Sequence, residues 1–203
     1  MNRPSYERLR DVILAFVGAH QNAGVQPFKD SLANWGTESC RVAARDLPAT
    51  RFMSPSLSLT HPGTHALVAL FEAEKANLKW EQSYSRADGV VGEDMLSGYG
   101  FAEVIGKQGP FVSEKVRSGI GVWGPDIDYP LHRHRAEEVY VVLAGSARFQ
   151  LGDGDNVSSG VRGPGDVVHV PSMLTHGFAT GQEPLVVFYI WQAGDLREKS
   201  SFS

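Results

Sequence analysis

The sequence predicts a mainly β protein, with a barrel of short strands over residues 101–203 behind an α-helical extension and linker over residues 1–100. Two observations predict it. In the first half, apolar residues recur at three- and four-residue spacings, the period of a helix. In the second half, the pattern switches to nine short runs cut by Gly, Pro and Asp, the punctuation of strands in a barrel or sandwich.

The elements follow in chain order. Ser5 is placed to cap a helix over residues 6–19, with Leu9, Val12, Ile13, Phe16 and Val17 on one face. A second helix is expected over residues 64–84, with Leu67, Leu70, Phe71, Leu78 and Trp80 as its apolar positions. Between them Pro27, Pro48, Pro55 and Pro62 break the chain into loops, with one short helix over residues 31–35. Residues 87–100 hold Gly89, Gly92, Gly98 and Gly100 and read as a linker. Strands are expected at 101–106, 112–123, 129–133, 138–143, 147–151, 157–161, 166–170, 177–179 and 185–192. The helical half is expected either to cover the barrel mouth or to form the surface of a homodimer.

Composition narrows the function classes. Among 203 residues the formal net charge is -4, which gives no basic face for a nucleic acid. No apolar run approaches the roughly 18 residues needed to cross a bilayer, so no membrane partner is expected and a cytoplasmic location is. Cys40 is the sole cysteine, so a metal site must use imidazole and carboxylate rather than thiolate.

The informative segment runs from Tyr129 to Gly145 and contains His132-x-His134-x3-Glu138-x-Tyr140. Strand side chains alternate between faces, so His132 and His134 share one face, and Glu138, Tyr140 and Val142 share one on the next strand. Two imidazoles, a carboxylate and a phenol pointing into a barrel are costly unless something binds them together, and a divalent cation does so. A second segment, Gly163-Pro-Gly-Asp166 through Pro171 to His176, brings a third imidazole from far along the chain. Imidazole with carboxylate suits one divalent transition metal, Zn, Fe(II), Mn or Ni. By strand phase Arg133, Arg135 and Glu137 are expected to face away from the site, and His169 to lie on the outer surface.

The spacing His132-x-His134-x3-Glu138-x6-Gly145 resembles the first motif of the cupin superfamily, and Pro164-Gly165-Asp166 with Pro171 and His176 resembles the second. The resemblance spans about residues 120–192 and implies a double-stranded β-helix, or jelly-roll, barrel with His132, His134, Glu138 and His176 as metal ligands. His132 is the least secure of the four and otherwise serves as a donor behind the ligands. Two departures stand out. Gly124 lies further upstream than the usual motif glycine, and Ala179-Thr180 stands where the family often has an asparagine. The run Tyr129-Pro-Leu-His-x-His with Ala136-Glu-Glu-x-Tyr140, behind a helical extension, is similar to the cupin-type dimethylsulfoniopropionate (DMSP) lyases.

That similarity implies a metal-dependent lyase acting on a small sulfonium carboxylate, with Tyr140 as the base and Tyr129 beside it. A phenol has a pKa of about 10 and is a poor base until a cation favours its phenolate. Trp123, Phe178, Tyr189 and Trp191 are candidate pocket residues, because aromatic faces attract cations. Tyr189 and Trp191 share a strand face. Other readings stay open: a non-haem iron dioxygenase, a sugar isomerase, or a cupin that binds a ligand without catalysis.

Overall fold

A computed structural model describes residues 3–33, 35, 36, 38–154 and 156–202. In chain order the elements are α1 (Arg3–Ala19), α2 (Gln26–Ala33), α3 (Met53–Ser56), α4 (Pro62–Glu74), β1 (Trp80–Glu81), α5 (Glu93–Gly98), β2 (Tyr99–Gly106), β3 (Phe111–Val112), β4 (Val116–Trp123), β5 (Asp128–Arg133), β6 (Glu137–Ala144), β7 (Ala147–Leu151), β8 (Ser158–Arg162), β9 (Val167–Val170), β10 (His176–Thr180), β11 (Leu185–Gln192) and β12 (Ser201–Phe202). The strands form two sheets. One runs β1-β2-β4-β11-β6-β9 with β3 on β2, and the other runs β12-β5-β10-β7-β8. All pairings are antiparallel except β2 with β3.

The larger sheet is buried on both faces, which explains the near-continuous apolar run of β11, Leu-Val-Val-Phe-Tyr-Ile-Trp. Its outer face carries Ala102, Val104, Ile120, Val122, Val139, Val141, Val186, Phe188 and Ile190, which pack in one core with the helices. Leu9, Ile13 and Val17 from α1, Phe28 and Leu32 from α2, and Leu67, Val68 and Phe71 from α4 complete that core. The helices therefore cover the back of the sheet. The inner face carries a second core built with the smaller sheet, containing Trp123, Tyr129, Tyr140, Phe149, Val168, Val170, Phe178, Val187 and Tyr189.

Several expected boundaries move, each for a local reason. Helix α1 begins before Ser5, so that residue sits in its first turn rather than ahead of it. The second short helix runs Gln26–Ala33, ahead of the expected 31–35, and residue 34 lies outside the described residues. The expected helix over 64–84 stops at Glu74. It is entered through His61, whose side chain accepts from the Gly63 backbone N–H. Leu78 and Trp80 are buried from extended backbone instead, where the Arg45 N–H donates to the Leu78 carbonyl and the Trp80 N–H donates to the Arg45 carbonyl. The strand expected over 112–123 is cut by Ser113, whose hydroxyl accepts from the Lys115 and Val116 N–H groups. The glycine-rich stretch expected as a linker contains α5 and the start of β2.

Candidate metal centre and active site

Strand register assembles the site. Across the inner face of the larger sheet, Trp191 on β11 lies opposite Arg117 on β4 and Glu138 on β6, and Tyr189 lies opposite Tyr140. On the smaller sheet His176 of β10 pairs with His132 of β5, and Phe178 pairs with Tyr129. Two residues separate the first pair on β10 but three separate it on β5, so the register shifts between them. This irregularity turns both Tyr129 and His132 inward, which strict alternation forbids for residues three apart. His134 follows just beyond the end of β5.

His132, His134 and His176 each offer a ring nitrogen, and the three nitrogens lie within 4.8 Å of one another. All three residues and Glu138 are at most 2% exposed. Each ring is fixed the same way. Nδ1 of His132 bonds the Pro130 carbonyl at 2.8 Å, Nδ1 of His134 the Ala136 carbonyl at 2.9 Å, and Nδ1 of His176 the Leu174 carbonyl at 2.9 Å. A carbonyl only accepts, so Nδ1 carries the proton and Nε2 keeps its lone pair. Metal-ligating histidines are held in this way, with the nitrogen away from the ion donating to a carbonyl or carboxylate.

Nε2 of His134 approaches Glu138 Oε2 at 3.0 Å. Nε2 of His176 is 3.4 Å from the same oxygen and makes no hydrogen bond, although it is fully buried. An orphaned imidazole nitrogen aimed at a carboxylate and two more imidazoles is costly. The residues fit a divalent cation, whose charge satisfies the converging lone pairs and the carboxylate together.

The electrostatics point the same way. Burial lowers His132 to about 3, with help from nearby His176, so this ring stays neutral and able to ligate. Burial by itself would raise Glu138, but the His134 and His176 imidazoles beside it hold it well below the usual carboxylate range. Burial also opposes charging His134, yet the adjacent Glu138 carboxylate raises it, favouring at Nε2 a proton that a bound cation would displace. Tyr140 is pushed well above 10 by burial and by the adjacent Glu138 charge. Tyr129 is raised by burial and by Tyr84 and Tyr140.

A cavity of about 50 Å³ opens beside this cluster, lined by Trp123, Tyr129, Glu138, Tyr140, Tyr189 and Trp191 among others. Trp191 stacks on His134 with ring centres 4.1 Å apart. Phe178 does not line the cavity. It supports it, packing edge-on against Trp123 at 5.0 Å and Tyr129 at 5.1 Å. The wall also contains Ser83, Tyr99, Phe101 and Arg117, which sequence reasoning missed. Alternation along 99, 101 and 103 would have flagged Tyr99 and Phe101, but the glycines around them hid the start of the strand.

The residues expected to face away are placed as follows. Arg133 and Arg135 are exposed. Glu137 is half-buried, bonded to His169 at 2.7 Å and accepting from Gln192 at 2.8 Å. His169 points out of the barrel, but the expected open surface is a half-covered seam: its ring meets Phe28 of α2 edge-on at 6.0 Å.

A jelly-roll barrel with these three imidazoles and a glutamate on its inner wall places the chain among the cupins. The family model for dimethylsulfoniopropionate lyase matches residues 21–187, and the chain belongs to that family of carbon–sulfur lyases. It is 29% identical over 174 residues to the dimethylsulfoniopropionate lyase DddQ of Ruegeria pomeroyi, covering 86% of this chain and 81% of that one. It is 27% identical over 153 residues to a putative dimethylsulfoniopropionate lyase, DddL, of Cereibacter sphaeroides, covering 74% of this chain and 61% of the relative. The crystal structure of the Ruegeria pomeroyi enzyme superposes with a TM-score of 0.85 at 24% identity, covering 100% of this chain and 98% of that one. Among the described residues no helix is long and apolar enough to cross a membrane.

Proposed function

We propose that the protein cleaves dimethylsulfoniopropionate to dimethyl sulfide and acrylate by a metal-dependent β-elimination. The observation that carries this reading is the set of three buried imidazoles, each with Nδ1 tied to a carbonyl and with ring nitrogens within 4.8 Å of one another, two of them beside Glu138. His132, His134, Glu138 and His176 would hold the ion. When bound, a divalent ion acts as a Lewis acid toward the substrate carboxylate and favours the phenolate of a neighbouring tyrosine.

Tyr140 is the general base. Its oxygen takes the proton from the carbon next to the carboxylate, the released pair forms the new C=C bond, and the C–S bond breaks to leave neutral dimethyl sulfide. Burial and the Glu138 charge hold this phenol protonated without a counter-charge, so base strength at Tyr140 depends on the cation beside it. Tyr129, kept neutral by burial, serves as a hydrogen-bond donor to the bound substrate. Trp123 faces the sulfonium, Tyr189 and Trp191 complete the aromatic wall, and Phe178 holds Trp123 and Tyr129 in place. Each cation–π contact is worth roughly 0.5–2 kcal/mol. In this arrangement residues 101–203 are the catalytic barrel and residues 1–100 the extension that backs it.

The test is headspace detection of the gas released from dimethylsulfoniopropionate by the purified, metal-loaded protein, with dissolved oxygen followed in parallel. Dimethyl sulfide should appear with no oxygen consumed. Absence of the gas, or oxygen uptake with another substrate, would replace this reading with one of the other cupin chemistries.

A further inference from the structure

The inner face of β4 reads Arg117, Gly119, Gly121, Trp123, a cation and an indole separated by two positions without side chains. Six residues of strand span about 20 Å between the Cα atoms of Arg117 and Trp123. The indole closes part of that gap by folding back over Gly121, where an added Cβ would sit 2.5 Å from its ring. Trp123 belongs to an aromatic cluster with Tyr99, stacked at 6.2 Å, and Tyr129, tilted at 5.5 Å. The cavity wall therefore has an aromatic end and a cationic end.

Arg117 is held rigidly at its end. Its guanidinium lies 5.0 Å from the centre of Phe101 and 5.2 Å from that of Trp191. Nε donates to Glu103 Oε2 at 2.9 Å, and Glu103 Oε1 accepts from the Gln108 and Gly109 N–H groups at 2.6 and 2.9 Å. These bonds use one face of the guanidinium fork. The side chain also lines the cavity that holds Glu138, Tyr140 and Tyr189. The Tyr189 hydroxyl, opposite Tyr140 in register, is buried with no hydrogen-bond partner.

A largely buried ion pair, with Arg117 19% and Glu103 4% exposed, adds little stability over an apolar pair of the same volume. A fixed guanidinium in an aromatic wall does match a carboxylate, which accepts two parallel N–H bonds from it.

We propose that Arg117 is a substrate-binding residue that takes the carboxylate of the zwitterion together with the ion the imidazoles would hold, so that the sulfonium is directed to the Trp123 end of the cavity. The proposal rests on the lyase reading for the identity of the substrate, and on the cavity alone for the anion site. Arg117 thus fixes which way round the substrate lies, and brings the carbon next to the carboxylate beside Tyr140.

The test uses the two halves of the substrate separately. Propionate carries the carboxylate alone, and ethyldimethylsulfonium carries the cation alone. Their binding to metal-loaded wild type, Arg117→Met and Arg117→Lys is measured by calorimetry. A lost charge-assisted pair corresponds to roughly 10-fold weaker binding or more. Arg117→Met should show that loss for propionate and leave the sulfonium within about twofold. Arg117→Lys, which keeps the charge but not the planar fork, should fall between wild type and Met.

Equal weakening of both ligands would mean that Arg117 merely props Phe101 and Trp191, and overturns the proposal. Unchanged propionate binding, or none in wild type, also overturns it. If Arg117→Met loses its near-ultraviolet circular dichroism, Arg117→Lys decides by the same criteria. Dimethyl sulfide release by wild type with propionate binding indifferent to Arg117 sinks this inference and spares the lyase reading. Arg117-dependent propionate binding without dimethyl sulfide release does the reverse.

Discussion

Each imidazole of the centre donates Nδ1–H to a carbonyl two residues away, upstream for His132 and His176 and downstream for His134. Local backbone thus fixes the tautomer before any ion arrives, which lowers the reorganisation needed for ligation. The same residues would tune the proposed base. Tyr140 sits two positions after Glu138 on one strand face, where the carboxylate raises its pKa and a bound cation would lower it. Tyr140→Phe should reduce dimethyl sulfide release by at least ~100-fold, the usual contribution of a general base, while metal content by elemental analysis stays at wild-type level. Near-normal turnover would remove the phenol from the mechanism. The shared faces of His132 with His134 and of Glu138 with Tyr140 were legible from spacing and alternation, and their roles only through the family resemblance. Arg117 was not, because its partner Glu103 lies on a strand whose inward face is only defined once the sheet order is known.

At the scale of elements, the strands of the barrel were readable to within a residue or two where one face alternated, as in β7, or where a continuous apolar run was bounded by turn residues, as in β11. The two-residue strands β1 and β12 were invisible, since two residues carry no period. The inward turn of both Tyr129 and His132 was hidden as well, because a register shift is a property of the pair β5 and β10 and not of either strand. The motif glycine has a separate local cause. Gly145 ends β6 at φ +67, and an added Cβ would run into the Pro184 carbonyl oxygen. Gly145→Ala should therefore cost about 1–3 kcal/mol in chemical denaturation, through left-handed strain and that collision. A loss smaller than the error of the experiment would show that the β6–β7 turn can shift to relieve both.

For the whole molecule, the sheet order separates two jobs. Helices α1, α2 and α4 bury the outer face of the larger sheet, and the inner face is left to Glu138 and the aromatic residues that pack against the smaller sheet. The sequence left the helices between a cover for the barrel mouth and a homodimer surface, because an apolar helical stripe names no partner, and the structure packs that stripe on the outer sheet face rather than over the mouth. The chain then returns to the site at its far end. Phe202 pairs with His132 and packs on Tyr84 at 4.9 Å, and Lys199 reaches back to Asp88. The Lys199 ammonium, with the Ser85 N–H, lowers Asp88 to about 2. A lowered carboxylate pKa stabilises the attached state above its unfolded value of about 4, and that contribution is lost as pH falls through 2. Hydrogen-exchange protection of the Ser201 and Phe202 amides, corrected for intrinsic rate, should drop between pH 4 and 2. Lys199→Ala should show low protection already at pH 4, and an unchanged profile in that variant would assign the attachment to β12 pairing alone.

The central claim is that one ion, gripped by imidazoles on the barrel wall, is required for the elimination. Metal-stripped protein is titrated with a divalent transition metal while dimethyl sulfide release is recorded. The account predicts no release at the start, a linear rise, and saturation at one ion per chain, with no recovery in His176→Ala at that stoichiometry. Full activity in the stripped protein, or equal recovery in His176→Ala, would contradict it.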